Sequence, residues 1–266
     1  MKKTRLMGIL NVTPDSFFAS SRSHSLEHAL ERALRLQSEG ADLLDIGGES
    51  SRPGAIQVTE EEELARVIPV IQQLNGRLSI PISIDTMKPN VARAAIQAGA
   101  SLINDISGFS HPDMVQLANE ADCDICVMHM QGNPQTMQKN PHYEAGIIPY
   151  LMLWFQEKIE QLTAQGIKSD RIILDPGIGF GKTVADNLEI IHNLPVFKKL
   201  GFRLLLGVSR KSFLGKILNQ PTDDLLPATL TANAIAVLHH VDIIRVHDVK
   251  EHRSVIDFLS AYQKMS

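Results

Sequence analysis

Asp85, Asn104 and Asp175 each end a short apolar run: Ile80–Ile84, Ser101–Ile103 and Ile172–Leu174. One polar residue in such a place is ordinarily a helix cap, but three delivered to one mouth make a binding surface. Ionised carboxylates only accept hydrogen bonds, whereas an amide both donates and accepts. The set therefore suits a heterocycle whose edge carries several adjacent N–H donors. Lys211, just after the run Leu204–Val208, can reach a ring carbonyl or nitrogen of such a ligand. In Asp175-Pro-Gly-Ile-Gly-Phe-Gly-Lys-Thr183 the glycines let a flat molecule approach the backbone, because they carry no Cβ, and Phe180 can cover it. This segment is not a phosphate-binding P-loop: G-x-x-x-x-G-K-[ST] would need its first glycine where Pro176 stands.

A second set is cationic. Arg52 lies in Glu49-Ser-Ser-Arg-Pro-Gly54, and Arg245 and His247 lie around the run Ile243–Val246. Guanidinium groups grip phosphate through paired hydrogen bonds, so these residues suit an anion. Asn11, ending the run Leu6–Leu10, suits a hard cation such as Mg²⁺, which takes few protein ligands beside phosphate oxygens. A helix opening near Ser212, in Ser209-Arg-Lys-Ser-Phe-Leu214, would offer free N–H groups to a carboxylate, although a plain N-cap explains that segment alone. His24, His28, His111, His142, His192, His239, His240 and His252 show no pattern and are expected on the surface. Cys123 and Cys126 enter an apolar run whose alternate residues face opposite ways. No second pair completes a zinc site, so both read as core.

The elements that must position these groups are the runs themselves. With Asp42–Ile46 and Ile125–Met128, which lead to Glu49 and His129, they number eight along the 266 residues. A strand buried on both faces reads as a continuous Val/Ile/Leu run, and strands alternating with helices make a parallel sheet. Eight units predict a single (β/α)8 TIM barrel as one domain over 1–266, whose active site is built from the loops after the strands. Helical patterns lie at Leu26–Glu39, Glu60–Leu74, Pro89–Ala98, Gly146–Gln165 and Asp186–Leu194, most closed by Gly or Asn. Long loops follow the first, second, fifth and seventh strands, so the substrate is expected beneath them.

The formal charge of −4, from 26 basic and 30 acidic residues, argues against a nucleic-acid partner. The apolar stretch after Met1-Lys2-Lys3-Thr4-Arg5 is too short for a signal peptide or a membrane span, so a cytoplasmic protein is expected.

Taken together, Gly8-Ile-Leu-Asn-Val-Thr-Pro-Asp-Ser-Phe17, Asp45-Ile-Gly-Gly-Glu-Ser-Ser-Arg-Pro-Gly54, Ser83-Ile-Asp-Thr86, Ile103-Asn-Asp-Ile106, Met128-His-Met-Gln-Gly132, Asp175–Lys182, Ser209-Arg-Lys-Ser212 and Arg245-Val-His-Asp248 resemble the dihydropteroate synthase family over the whole chain. The resemblance implies a transferase that condenses 6-hydroxymethyl-7,8-dihydropterin pyrophosphate with p-aminobenzoate, and a homodimer. It implies that Asp85, Asn104, Asp175 and Lys211 hold the pterin, and that Arg52, Arg245, His247 and Asn11 hold the pyrophosphate, with Mg²⁺ at Asn11. Ser51, Pro53, Phe180 and Ser212 would border p-aminobenzoate. Asp85, Asp175, Lys211, Arg245 and His247 would carry the reaction. Two departures stand out. Ser51 replaces the usual threonine, and the first loop runs Asp15-Ser-Phe-Phe-Ala-Ser-Ser21, without the family's second acid. The alternatives are a pterin-binding methyltransferase domain acting on methylated folate, which would not need Ser209–Ser212 or the paired arginines, and a non-catalytic pterin-binding scaffold.

Overall fold

The computed structural model describes residues 3–12, 22–50, 54–55, 57–221 and 224–265. The eight runs are eight parallel strands: β1 Arg5–Asn11, β2 Leu43–Gly47, β3 Ile82–Asp85, β4 Leu102–Asp105, β5 Asp124–Met128, β6 Ile172–Asp175, β7 Arg203–Leu206 and β8 Ile243–Val246. Each pairs with the next, and β8 returns to β1 to close a barrel. Closure leaves no unpaired sheet edge.

Ten helices among the described residues surround it: α1 Arg22–Ser38, α2 Glu60–Leu74, α3 Pro89–Ala98, α4 Pro112–Ala121, α5 Ile147–Ala164, α6 Val184–His192, α7 Leu194–Lys198, α8 Ser212–Leu218, α9 Leu226–Leu238 and α10 Val249–Tyr262. The best-punctuated helices lie where the sequence places them. Thr59 and Glu62 form a reciprocal capping box at the start of α2, and Pro89 opens α3, which Gly99 closes at φ 121°. Between β6 and β7 the expected single helix Asp186–Leu194 is two helices instead. α6 stops at His192, and Pro195 sits in the first turn of α7, where its missing N–H is harmless.

Strand side chains alternate between two cores. The outward set, including Leu44, Ile84, Ile103, Val127 and Leu206, packs against the helices. The inward set, Met7, Leu43, Leu102, Cys126, Ile173, Leu205 and Ile243, forms an apolar floor inside the barrel. Cys123 belongs to the outer core and Cys126 to the floor, both as free thiols, as their spacing requires. His252 is not on the surface. It is fully buried between α9 and α10, with Nδ1 bonded to the Asp248 carbonyl at 2.6 Å and Nε2 to the Asn233 amide at 2.8 Å. Burial holds its pKa below the usual histidine value.

Candidate active site

Two residues beyond the apolar floor, on the same strand faces, the interior turns ionic: Asp45 follows Leu43, Asn104 follows Leu102, Asp175 follows Ile173 and Arg245 follows Ile243. Their neighbours fix them. Arg245 donates from Nε to Asp45 Oδ2 and from Nη2 to Asp85 Oδ2, both at 2.6 Å, and Asn104 Nδ2 donates to Asp45 Oδ2 at 3.1 Å. One guanidinium thus serves two carboxylates, leaving the trio with a surplus negative charge. Burial, reinforced by Asp45 and opposed by Arg245, pushes Asp85 up to about 7. Burial acts downward on Arg245, but Asp45 and Asp85 outweigh it and hold the guanidinium above its ordinary range.

Asp175 ends β6 and receives the Gly177 N–H on Oδ1 at 2.8 Å. Burial raises its pKa against the pull of Lys211. Lys211, the residue before α8, is bonded to the Ile178 carbonyl and lies 4.4 Å from the Phe180 ring centre. Burial lowers its pKa to about 8. Ser212 is exposed in the first turn of α8. His247 shares a hydrogen bond with Ser209 Oγ at 2.9 Å, and Arg210 turns away to make a two-pronged pair with Asp248. Asn11 ends β1 level with Gly47 of β2.

The structure therefore brings Asp85, Asn104, Asp175, Lys211 and Arg245 together, joining the acceptor set to the cationic set through the Asp85–Arg245 pair. Ser51, Arg52 and Pro53 lie outside the described residues, as does Asp15. The root of the Arg52 loop is described: Lys88 bridges Glu49 and the buried Glu63, and Arg66 donates to the Gly48 carbonyl at 2.8 Å. A cavity of about 350 Å³ lies at the other end of the barrel, lined by Arg5, Pro81, Ser101 and Asp124 among others. It is remote from every one of these groups, and strand N-terminal ends in this fold serve stability.

Sequence reasoning missed Asp45 and Lys182. A signal for Asp45 existed: an acid inside Leu43-Leu-Asp-Ile-Gly47, where both faces are buried, must have a partner. Lys182 figures in the sequence only as part of the glycine-rich segment after Asp175 and of the family resemblance, with no role of its own. It is buried, with Nζ 3.0 Å from both His129 Nδ1 and the Phe180 carbonyl. Burial and neighbouring Lys211 lower its pKa to about 7, while burial and Lys182 push His129 down to about 2.

A family model described as pterin binding enzyme matches residues 7–247. A dihydropteroate synthase from Synechocystis is 46% identical over 251 residues, covering 94% of this chain and 86% of its own. The chain belongs to the dihydropteroate synthase family. Its members are transferases of folate biosynthesis, which sets aside the methyltransferase and scaffold alternatives. The crystal structure of the Yersinia pestis dihydropteroate synthase with a sulfonamide drug complex is 41% identical and superposes with a TM-score of 0.93, covering 98% of this chain and 95% of that one. The Xanthomonas albilineans dihydropteroate synthase in complex with 7,8-dihydropteroate is 37% identical, with a TM-score of 0.89 and coverage of 98% and 94%.

Proposed function

We propose that the domain 1–266 joins 6-hydroxymethyl-7,8-dihydropterin pyrophosphate to p-aminobenzoate, with roles assigned residue by residue. The carrying observation is the layer in which buried Asn104 and Asp175 and partly buried Asp85 face one mouth beside Lys211. Asp85, Asn104 and Asp175 accept from the pterin's N–H edge, and Lys211 meets a ring carbonyl or nitrogen. Arg245, His247 and Arg52 take the pyrophosphate. Ser51, Pro53, Phe180 and Ser212 surround p-aminobenzoate.

The C–O bond between the exocyclic carbon and pyrophosphate breaks, the electron pair leaves with pyrophosphate, and the arylamine nitrogen bonds to that carbon and gives up one proton, which the departing pyrophosphate or water takes. The pterin delocalises the positive charge, and the fixed carboxylates of Asp85 and Asp175 stabilise it electrostatically. Arg245 and His247 stabilise the leaving group, and no side chain becomes covalently attached. Among the described residues no group of three or more His, Cys, Asp or Glu can hold a metal by itself. The Asn11 amide oxygen fits Mg²⁺ as one hard ligand beside the substrate's phosphate oxygens. Such an ion would supply charge neutralisation at the pyrophosphate.

We also propose a cytoplasmic homodimer. No helix among the described residues is long and apolar enough to cross a membrane. Ile235 and Leu238 on α9, with Phe258 and Tyr262 on α10, are exposed on neighbouring helices, which supports self-association. Light scattering of the purified protein tests the dimer. The reaction is tested by pyrophosphate release that requires both substrates; release with the pterin pyrophosphate alone would overturn it.

A further inference from the structure

The turn after β6 has little of its own to hold it. Gly177, Gly179 and Gly181 adopt φ of 67°, 80° and 69°, values that glycine enters without steric cost and leaves as easily. Yet every carbonyl from 177 to 181 is engaged. The Gly177 carbonyl takes the Phe180 N–H at 3.1 Å, and the Ile178 carbonyl takes Lys211. The next three are held by Gln138 Nε2 on Gly179 at 2.6 Å, Lys182 Nζ on Phe180 at 3.0 Å and the Tyr143 hydroxyl on Gly181 at 2.7 Å. The turn is also pressed onto the end of β5. A Cβ on Gly177 would lie 1.9 Å from the His129 carbonyl oxygen, and one on Gly181 would lie 2.5 Å from Gln131 Cβ.

We infer that Gln138 and Tyr143, in the loop after β5, are positioning residues that fix the Phe180 wall and so set the affinity for the aromatic second substrate. The inference rests on the proposed placing of p-aminobenzoate against Phe180. The two halves of the turn are anchored separately. Its root, beside the pterin layer, is held by Asp175 on the Gly177 N–H and by Lys211 on the Ile178 carbonyl. Its far half, which carries Phe180, is held by donors from Gln138, Tyr143 and Lys182 and by Asn187 Oδ1, which accepts the Gly179 N–H at 2.7 Å; Gln138 and Tyr143 are the two that reach it from the loop after β5. Releasing the far half therefore moves Phe180 and leaves Asp175 in place. The Tyr143 ring is itself fixed by packing, edge-on to Tyr150 at 4.9 Å, so a phenylalanine there keeps the ring and loses only the hydroxyl.

The test is steady-state kinetics on Tyr143→Phe, Gln138→Ala and the double variant, with Phe180→Ala as reference and pterin affinity measured by calorimetry. Loss of one neutral hydrogen bond gives about a three- to tenfold rise in the KM for p-aminobenzoate. The kcat at saturation and the pterin Kd should stay within about twofold, a split that general loosening of the fold does not produce. Gln138 is exposed, so its variant stays folded even if Tyr143→Phe does not. An unchanged KM in the double variant, with a raised KM in Phe180→Ala, refutes the inference and spares the proposed function. Equal rises in the pterin Kd and the p-aminobenzoate KM refute it too. An unchanged KM in Phe180→Ala removes the placing of p-aminobenzoate, and the inference with it.

Discussion

Replacing Asp85 with asparagine removes one of the two carboxylates that share the Arg245 guanidinium, and the neutral Asp45–Arg245 pair that remains has no surplus charge. Asp85 is raised from 3.8 to about 7, with burial as the largest influence. An acid shifted upward contributes stability that is fully present below its unfolded pKa and lost as the pH climbs to its folded one. Each unit of that climb withdraws about 1.4 kcal/mol. Between about pH 5.5 and pH 8 the unaltered protein should therefore lose about 2 kcal/mol that Asp85→Asn keeps, or roughly 4–8 °C in Tm for a domain of this size. Thermal unfolding of both ligand-free proteins at the two pH values measures it. A Tm difference that does not change with pH, or a variant less stable at pH 8, would show that the ionised carboxylate is not held at a cost. The same variant should bind pterin poorly, because stability and function conflict at a preorganised site.

Asp175→Asn should weaken pterin binding by about 1–3 kcal/mol, since a donor then faces the ring's own donors; unchanged affinity in calorimetry would take Asp175 out of the pocket. Arg245→Ala strands Asp45 and Asp85 together, so it should lower stability by about 3–5 kcal/mol at pH 8, and much less at pH 5 where Asp85 holds its proton; urea unfolding at both pH values decides. His252→Ala should destabilise by about 2–3 kcal/mol by leaving the Asn233 amide unpaired. Because burial lowers the pKa of His252, the unaltered protein's share of that stability is lost as the pH falls through the folded value, which acid titration of the two proteins compares.

Strands and their polar ends were legible because burial on both faces favours apolar residues along most of each strand, so Asp85, Asn104 and Asp175 marked the mouth. α2 and α3 were legible through Thr59, Pro89 and Gly99, whose backbone roles are local. α4 was not, for it ends at Asp122 in a left-handed conformation, with no glycine to signal it. α9, nearly all apolar, has no polar face to give it a period. The pairing of Arg245 with Asp45 spans 200 positions, and nothing near either residue reveals it. His252 looked exposed because its burial depends on α9, a separate helix.

Arg245 lies on the last strand, and the carboxylates that need it lie on the second and third. During synthesis β2 and β3 exist long before β8, so the unfinished sheet holds Asp45 and Asp85 on adjacent strands with no Arg245 between them. Such long-range contacts form late, after the entropy of closing the chain has been met. The arrival of β8 thus closes the ring and supplies its missing cation in one event. Any chain cut before Ile243 would be left with an open edge and with Asp45 and Asp85 lacking the guanidinium they share, so the last strand closes the barrel and completes its ionic layer together.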